Sequence, residues 1–183
     1  MRKIDNIEID NALKDFPDDL AKLIKVSLDT KNAVKKLAAR STLVRMGKTI
    51  IPQLHKLLAS KNDLLREEIA KTVELIADRR SVPLLIGLLD DTVFDIRWIA
   101  AEGLIKIGRR SILPLLKSVR DGKSSHVYNE SAHHVLLGLL NNTEKKKLEP
   151  LLLSLENYHE LGETAPIEAS KALKTIFKRK SWL

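Results

Sequence analysis

The sequence contains no cysteine and few aromatic residues. The absence of cysteine excludes disulfide bonds, thiolate catalysis and cysteine-ligated zinc, and it is typical of proteins from a reducing compartment. Phe, Trp and Tyr make up only 4% of the chain, whereas hydrophobic residues of all kinds make up 44%. A buried core must therefore be built mainly from Leu, Ile, Val and Ala, which suits closely stacked helices.

Long hydrophobic runs are lacking as well. No segment approaches the roughly 18 consecutive apolar residues of a membrane-spanning helix. The N-terminal stretch MRKIDNIEIDNALKDF also lacks the continuous apolar region that is typical of signal peptides. We therefore expect a soluble, cytoplasmic protein that has no membrane partner.

The charges are unevenly distributed along the chain. There are 32 Lys and Arg residues against 24 Asp and Glu residues, a formal net charge of +8. Residues 31–60 contain seven basic residues and no acidic one, whereas acidic residues outnumber basic ones in residues 1–30. Such an asymmetry concerns solubility and binding partners rather than the fold.

A period of 31 residues runs through the centre of the chain. The matching positions are Pro52, Pro83 and Pro114; Ala70, Ala101 and Ala132; and Arg66 and Arg97. Around them, apolar residues recur at helical spacing, and Gly47 and Gly108 occupy positions that are typical of helix ends. A fixed period with matching punctuation indicates an array of repeats rather than a single closed core.

This pattern predicts an all-α protein. We expect a loosely held N-terminal arm over residues 1–15 and a single repeat domain over residues 16–183. The predicted units are about 32–63, 64–95, 96–123 and 124–161, followed by a capping helix at 166–180. In the first helix of the first unit, which Asn32 caps, the predicted buried stripe consists of Val34, Leu37, Ala38, Leu43, Val44 and Met46.

The third unit carries the motif I-R-x-x-A-A-x-x-L-x-x-I-G, which begins at Ile96 and ends six residues before Pro114. The motif resembles the short form of the HEAT repeat, the kind found in phycobilisome-lyase-like proteins. The resemblance is strong over residues 64–120 and recognisable over 32–63 and 124–156. It implies a right-handed α-solenoid (alpha-alpha superhelix) of about four helix pairs with partial caps. The first helix of each pair would lie on the convex side of the superhelix and the second helix on the concave side.

The resemblance also implies a role for the repeated arginine, which in such repeats commonly meets an acid in the preceding turn. Arg97 would then pair with Asp90, Asp91 or Asp95. The fourth unit departs from the pattern because Tyr128 occupies the position of the arginine. We therefore expect that unit to pack differently.

The first candidate site is the concave face formed by the second helices. Its residues are Gln53, His55, Lys56, Leu84, Ile86 and Lys117. Leu84 and Ile86 are apolar where a solvated face would be polar, which indicates a groove for a partner segment. The alternative is that neighbouring helices cover these two residues.

The second candidate site is a basic edge at the turns inside the units. It consists of Lys48, Arg79, Arg80, Arg109 and Arg110. A row of cations can follow the phosphates of a nucleic acid and release their counterions. The alternative is that these cations complement helix dipoles and keep the edge solvated.

Three further residues are candidate hot spots: Trp98, Tyr128 and His133. Trp98 aligns with Glu67 of the preceding unit, so it is either exposed at an interface or packed beneath that preceding unit. His133 and His134 are adjacent and point about 100° apart on a helix, so they are poorly placed to bind one metal ion. No constellation of residues indicates a metal, another cofactor or a small-molecule substrate.

The sequence favours a non-catalytic protein–protein interaction module or scaffold that binds a protein segment on its concave face. Nucleic-acid binding along the basic edge is the alternative. A lyase-type accessory enzyme comes third, and only the resemblance to the named family suggests it, since no acid, base or nucleophile is identifiable.

Overall fold

The computed structural model describes residues 6–122, 125–157 and 162–177, and in these ranges the regular structure is entirely helical. The prediction of an all-α protein is therefore confirmed. The α-helices are α1 (Asn6–Leu13), α2 (Asp18–Ser27), α3 (Ala33–Met46), α4 (Ile51–Leu57), α5 (Asp63–Ile76), α6 (Val82–Leu88), α7 (Phe94–Ile107), α8 (Ile112–Arg120), α9 (His126–Leu139), α10 (Asn142–Lys147), α11 (Glu149–Glu156) and α12 (Ala165–Phe177).

Each predicted unit begins with a helix of 14 residues. Three of these helices begin at a side-chain cap: Asn32 accepts a hydrogen bond from the backbone N–H of Lys35, Asn62 from that of Leu65, and Ser125 from that of Tyr128. Such caps satisfy backbone donors that have no partner within the helix. The local sequence therefore fixes where these helices start.

The first and second helices of three units are joined by a single turn of 3-10 helix. These turns are Gly47–Thr49, Arg79–Ser81 and Arg109–Ser111. The first begins at Gly47 and the third follows Gly108, and these glycines have positive φ values of 59° and 89°, as the sequence predicts. In the second unit, Ala77 takes the left-handed conformation at the corresponding position, with φ 52°.

The chain divides into two compact units, Met1–Leu84 and Leu85–Leu183. In the first of them, α2 packs on α3, and α5 packs on both α3 and α4. Its fully buried side chains include Ile24, Leu43, Leu54, Leu65 and Ile69. The core is thus aliphatic, as the composition predicts.

In the second compact unit, α9 packs against α7, α8 and α11. Ala101 and Ala132 are buried where α7 and α9 approach each other, at 2% and 0% exposed. Gly138 on α9 lies so close to α7 that an added Cβ would stand 2.7 Å from Cδ1 of Ile105. Small residues therefore permit the close approach of these two helices.

The C-terminal helix α12 packs against α8 and α11. Ala165, Ala169 and Ala172 are buried at helical spacing, whereas Ile167 on another side is 57% exposed. The alanines let α12 lie close to α8, so that it covers part of the second helix of the third unit. The predicted capping helix extends to residue 180, but residues 178–180 lie outside the described part of the chain.

The N-terminal region differs from the loosely held arm expected from its weak periodicity. Residues 6–13 form α1, and Ile9 and Leu13 are each 3% exposed. The carboxylate of Asp10 forms an ion pair with Nζ of Lys25 on α2, at 2.6 Å. Two apolar side chains spaced four apart are sufficient to hold this short helix against its neighbours, although they give only a weak periodic signal.

The predicted buried stripe of α3 is wrong in its first half. Val34 and Leu37 are 79% and 57% exposed, and Ala38 is exposed as well, whereas Ala39 and Leu43 are buried. The helix is rotated because Arg40 turns inward to a buried carboxylate: its Nε and Nη2 donate to Glu68 on α5 at 2.7 and 2.5 Å. An ion pair with a residue 28 positions away thus decides which side of α3 faces the core.

Candidate interaction surfaces

The repeated arginine anchors the turn before its helix through backbone carbonyls. Arg66 Nη1 donates to the carbonyl of Ser60 at 2.8 Å, and Arg97 Nη1 donates to the carbonyl of Asp91 at 2.8 Å. The family resemblance implies an acidic partner for this arginine. Arg66 has one, since its Nη2 donates to Oδ1 of Asp63 at 2.9 Å, whereas the hydrogen bonds of Arg97 use backbone carbonyls. The guanidinium of Arg97 also lies 5.5 Å from the ring centroid of Phe94.

Tyr128 takes over this position in the fourth unit and is fully buried. Its hydroxyl lies 2.7 Å from Oγ of Ser118 on α8, with which it forms a hydrogen bond. Burial raises the pKa of Tyr128 to about 12, although the bond to Ser118 acts in the opposite direction. Tyr128 is thus a core residue that ties α9 to α8, and its prediction as an interfacial hot spot is corrected by its burial.

The second-helix candidates in the first compact unit are only partly exposed. His55 is half-buried, and its Nε2 lies 2.9 Å from Oγ of the buried Ser81. Burial lowers the pKa of His55, and the positive charge of Arg80 lowers it further, against the opposing effect of Asp78. Gln53 is half-buried with an inward Oε1, whereas Lys56 is exposed.

The two apolar candidates on α6 have different environments. Leu84 is 38% exposed, but Ile86 is only 5% exposed. The alternative of coverage by neighbouring helices therefore applies to Ile86, which presents no apolar surface to a partner. Lys117 on α8 is exposed.

Arg80, one of the predicted edge cations in the first compact unit, is exposed but bonded to its own turn and to the preceding one. Its guanidinium donates to the carboxylate of Asp78 and to the carbonyl of Lys48, the latter at 2.9 Å. Asp78 also accepts the backbone N–H of Arg80 at 2.8 Å. These hydrogen bonds lower the pKa of Asp78 to about 2. Arg79 and the ammonium of Lys48 are exposed, and neither has an ion pair within the described residues.

The α7–α8 turn of the second compact unit also contains one arginine that forms an ion pair and one that forms none within the described ranges. Arg109 donates through both terminal nitrogens to Glu144 at 2.8 and 3.0 Å, which joins the α7–α8 turn to α10. Glu144 in turn completes a capping box with Asn141 at the start of α10. Arg110 is exposed and forms no ion pair within the described ranges. All four arginines are exposed, but in each adjacent pair one forms an ion pair with an acidic side chain and the other forms none within the described ranges.

Trp98 lies at the centre of an exposed aromatic cluster, which we call the Trp98 cluster: Phe94, Trp98 and His134. The rings of Phe94 and Trp98 stack with centroids 6.4 Å apart, and the His134 ring lies 4.6 Å from that of Trp98. Nε2 of His134 is 2.8 Å from Oε1 of Glu102. Phe94 is 60% exposed and Trp98 is 49% exposed, and the His134 ring beside Trp98 belongs to the following unit, not to the preceding one.

Sequence reasoning singled out Trp98 but missed its two aromatic neighbours. Phe94 precedes Trp98 by four residues and was therefore detectable, since residues four apart lie on one face of a helix. His134 comes from a different helix, and the 31-residue register does not align it with Trp98. The predicted hot spot His133 is half-buried instead, and burial lowers its pKa against the opposing effect of Glu156.

Within the described ranges, no group of three or more His, Asp or Glu residues is arranged to hold a metal ion. Among the same residues, no helix has both the length and the hydrophobicity needed to cross a lipid bilayer.

Tandem helix pairs joined by tight turns at a regular interval define an α-helical repeat protein. A family model described as HEAT repeats matches the chain twice, over residues 18–105 and 51–137. Together these matches cover more than half of the 183 residues. The chain belongs to the HEAT-repeat family, which confirms the resemblance drawn from the third unit. A search of curated proteins found no match to this chain.

Proposed function

We propose that the protein is a non-catalytic protein-interaction module whose principal contact surface is the Trp98 cluster. HEAT repeats commonly serve as protein-interaction scaffolds, since stacked helix pairs present extended binding surfaces. The observation that carries the proposal is the exposure of Phe94 and Trp98 side by side in a chain that has few aromatic residues.

Exposed stacked aromatics are unfavourable in water unless a partner covers them, and tryptophan dominates the binding energy of many interfaces. The cluster is also held in place before binding. The His134 ring lies against one side of Trp98, and the pairing of His134 with Glu102 limits its rotation. A preordered aromatic surface loses little side-chain entropy on association.

Lys56, Leu84 and Lys117 remain candidate contact residues. Lys56 and Leu84 belong to the first compact unit, and Lys117 belongs to the second. They are exposed but do not form a cluster of large apolar side chains. We therefore rank them below the Trp98 cluster.

To test this proposal, partners are first captured with immobilised wild-type protein and identified. The affinity of the captured protein is then measured by calorimetry. Trp98→Ala should weaken binding by about 2 kcal/mol, or about thirtyfold. Ile167→Ala is the matched control, because Ile167 is a 57% exposed side chain on α12 of the same compact unit. Equal affinities for wild type and Trp98→Ala would refute the proposal.

Nucleic-acid binding is the second candidate function, and one observation favours it. The ion pair between Arg109 and Glu144 holds α10, which carries three consecutive lysines at 145–147, beside the α7–α8 turn that contains Arg110. Exposed cations in such a region can contact successive phosphates.

Fluorescence anisotropy with a short mixed-sequence DNA duplex tests this second function. Binding that weakens steeply between low and near-physiological salt, and that is lost in Arg110→Glu but kept in Lys56→Glu, would support it. The absence of binding at low salt would remove nucleic acid from consideration.

A further inference from the structure

The outer side of α3 carries exposed apolar side chains that the Trp98 cluster does not involve. Val34 is 79% exposed and Leu37 is 57% exposed. Ala38 and Ser41 follow at helical spacing and are exposed as well. Because residues at positions i, i+3, i+4 and i+7 lie along one side of a helix, these four form a continuous stripe. We call this stripe the α3 outer face.

The orientation of this face is fixed by the opposite side of the helix. Arg40 forms its two-pronged ion pair with Glu68, and Nζ of Lys36 lies 3.3 Å from the same carboxylate. The side chain of Glu68 is only 2% exposed, so α3 cannot rotate without leaving a buried charge unpaired. The exposure of Val34 and Leu37 is therefore a consequence of specific packing.

The charged side chains of α3 itself are all basic. Residues 31–60 contain seven basic residues and no acidic one. Glu68 pairs with both Lys36 and Arg40 and offsets one of their two positive charges. Lys31, Lys35 and Arg45 are exposed and form no ion pair within the described part of the chain, although Arg45 donates a hydrogen bond to Thr42 at 3.2 Å. An apolar stripe between unpaired cations is complementary to an apolar stripe between acidic residues.

We propose that the α3 outer face binds an acidic amphipathic helix of a partner protein. The apolar side chains of that helix would cover Val34 and Leu37, while its carboxylates would face Lys31, Lys35 and Arg45. The stripe contains only two large apolar side chains and no aromatic one, which is less than a helix lying on a lipid surface normally buries. This inference goes beyond the proposed function and does not depend on it, since it concerns another face in the other compact unit.

Two synthetic peptides labelled with fluorescein serve as probes for the full-length protein. One is an amphipathic peptide with leucine at heptad positions a and d and mainly glutamate elsewhere. The other has the same composition in an order that spreads the leucines around the helix. Fluorescence anisotropy should show that the amphipathic peptide binds at least about tenfold more tightly than the scrambled one.

Two double variants separate the apolar and the electrostatic contributions. Val34→Ser with Leu37→Ser should reduce the affinity for the amphipathic peptide to that for the scrambled one. Lys35→Glu with Arg45→Glu should weaken the binding of both peptides by at least about tenfold and make it less sensitive to salt. Ile7→Ser is the matched control, because Ile7 is a 76% exposed apolar side chain of the same compact unit. All variants should keep the thermal midpoint of the wild type.

Several results would overturn the inference. They are equal affinities for the two peptides, no binding of either peptide, and undiminished binding by the Val34→Ser, Leu37→Ser variant. The face would be assigned to a membrane under a different result. In that case the wild type binds vesicles of phosphatidylcholine and phosphatidylserine but not the amphipathic peptide, and the Val34→Ser, Leu37→Ser variant does not bind the vesicles. If sedimentation shows that the wild type is a dimer and the variant a monomer, the face would be assigned to contact with a second copy of the chain.

Discussion

The guanidinium of Arg40 and the carboxylate of Glu68 form a two-pronged ion pair that joins α3 to α5. The Glu68 side chain is 2% exposed and that of Arg40 is 16% exposed. The hydrogen bond to Glu68 raises the pKa of Arg40, against the effect of burial. This one pair sets the rotation of α3, and with it the side of the helix that meets solvent.

Glu68→Gln should destabilise the fold by about 3 kcal/mol, because it leaves Arg40 partly buried without a counter-charge. Urea unfolding followed by circular dichroism measures the loss. Glu130→Gln is the control, since Glu130 is exposed and should change stability by less than about 0.5 kcal/mol. A similar small change in Glu68→Gln would mean that the ion pair contributes little and that apolar packing alone orients α3.

Asp78 should make the stability depend on pH in acid. Its pKa is lowered to about 2 in the folded protein, below the value of about 4 expected in the unfolded chain. The stabilisation is therefore fully present above about pH 4 and is lost as the pH falls towards 2. Asp78→Asn keeps a side chain that can cap the turn but removes the charge that holds Arg80.

Thermal midpoints of wild type and Asp78→Asn, measured from pH 6 down to pH 2, test this expectation. The wild type should melt at the higher temperature at pH 6, and the difference should shrink below about pH 4. A difference that stays constant across this range would show that the substitution acts by altered packing and not by loss of the ion pair.

Ala77→Gly should stabilise the protein. Ala77 ends α5 with φ 52°, a conformation that costs a residue with a Cβ roughly 1 kcal/mol more than glycine. We expect a gain of about 1 kcal/mol in the free energy of unfolding. Ala38→Gly is the matched control and should show the opposite sign, because Ala38 lies inside α3, where glycine is unfavourable by about 1 kcal/mol. Destabilisation by both variants would contradict the expectation.

Ala101→Leu should destabilise the fold by about 1–3 kcal/mol through overpacking. Ala101 is 2% exposed on α7, the helix that packs on α9. Ala38→Leu makes the same change at an exposed position of α3 and should have little effect on the thermal midpoint. An unchanged midpoint in Ala101→Leu would mean that the contact between α7 and α9 can widen without cost.

The repeat period, the start of α3 at Asn32 and the glycine turns at Gly47 and Gly108 could be predicted because each depends on a few neighbouring residues. The burial of Ile86 and Tyr128 could not, since it depends on helices that are distant in sequence. Ile86 and Leu84 read alike in the sequence, yet only Leu84 is substantially exposed.

The turns of the basic edge also combine features that the local sequence predicts with features that depend on distant residues. The positions of Arg79, Arg80, Arg109 and Arg110 follow from the register alone. Which arginine of each pair forms an ion pair depends on where an acidic side chain lies. Asp78 is two residues away from Arg80, whereas Glu144 is 35 residues away from Arg109.

The sequence by itself determined that the chain forms successive helix pairs, because helical periodicity, capping residues and turn glycines act over a few residues. Only the tertiary structure decided which side of α3 is buried and which side chains of different helices meet at the surface. The buried carboxylate of Glu68 rotates α3 so that Val34 and Leu37 face solvent, and the packing of α7 on α9 brings His134 against Trp98. The surfaces proposed to bind partners arise from these long-range contacts, which a local pattern does not encode.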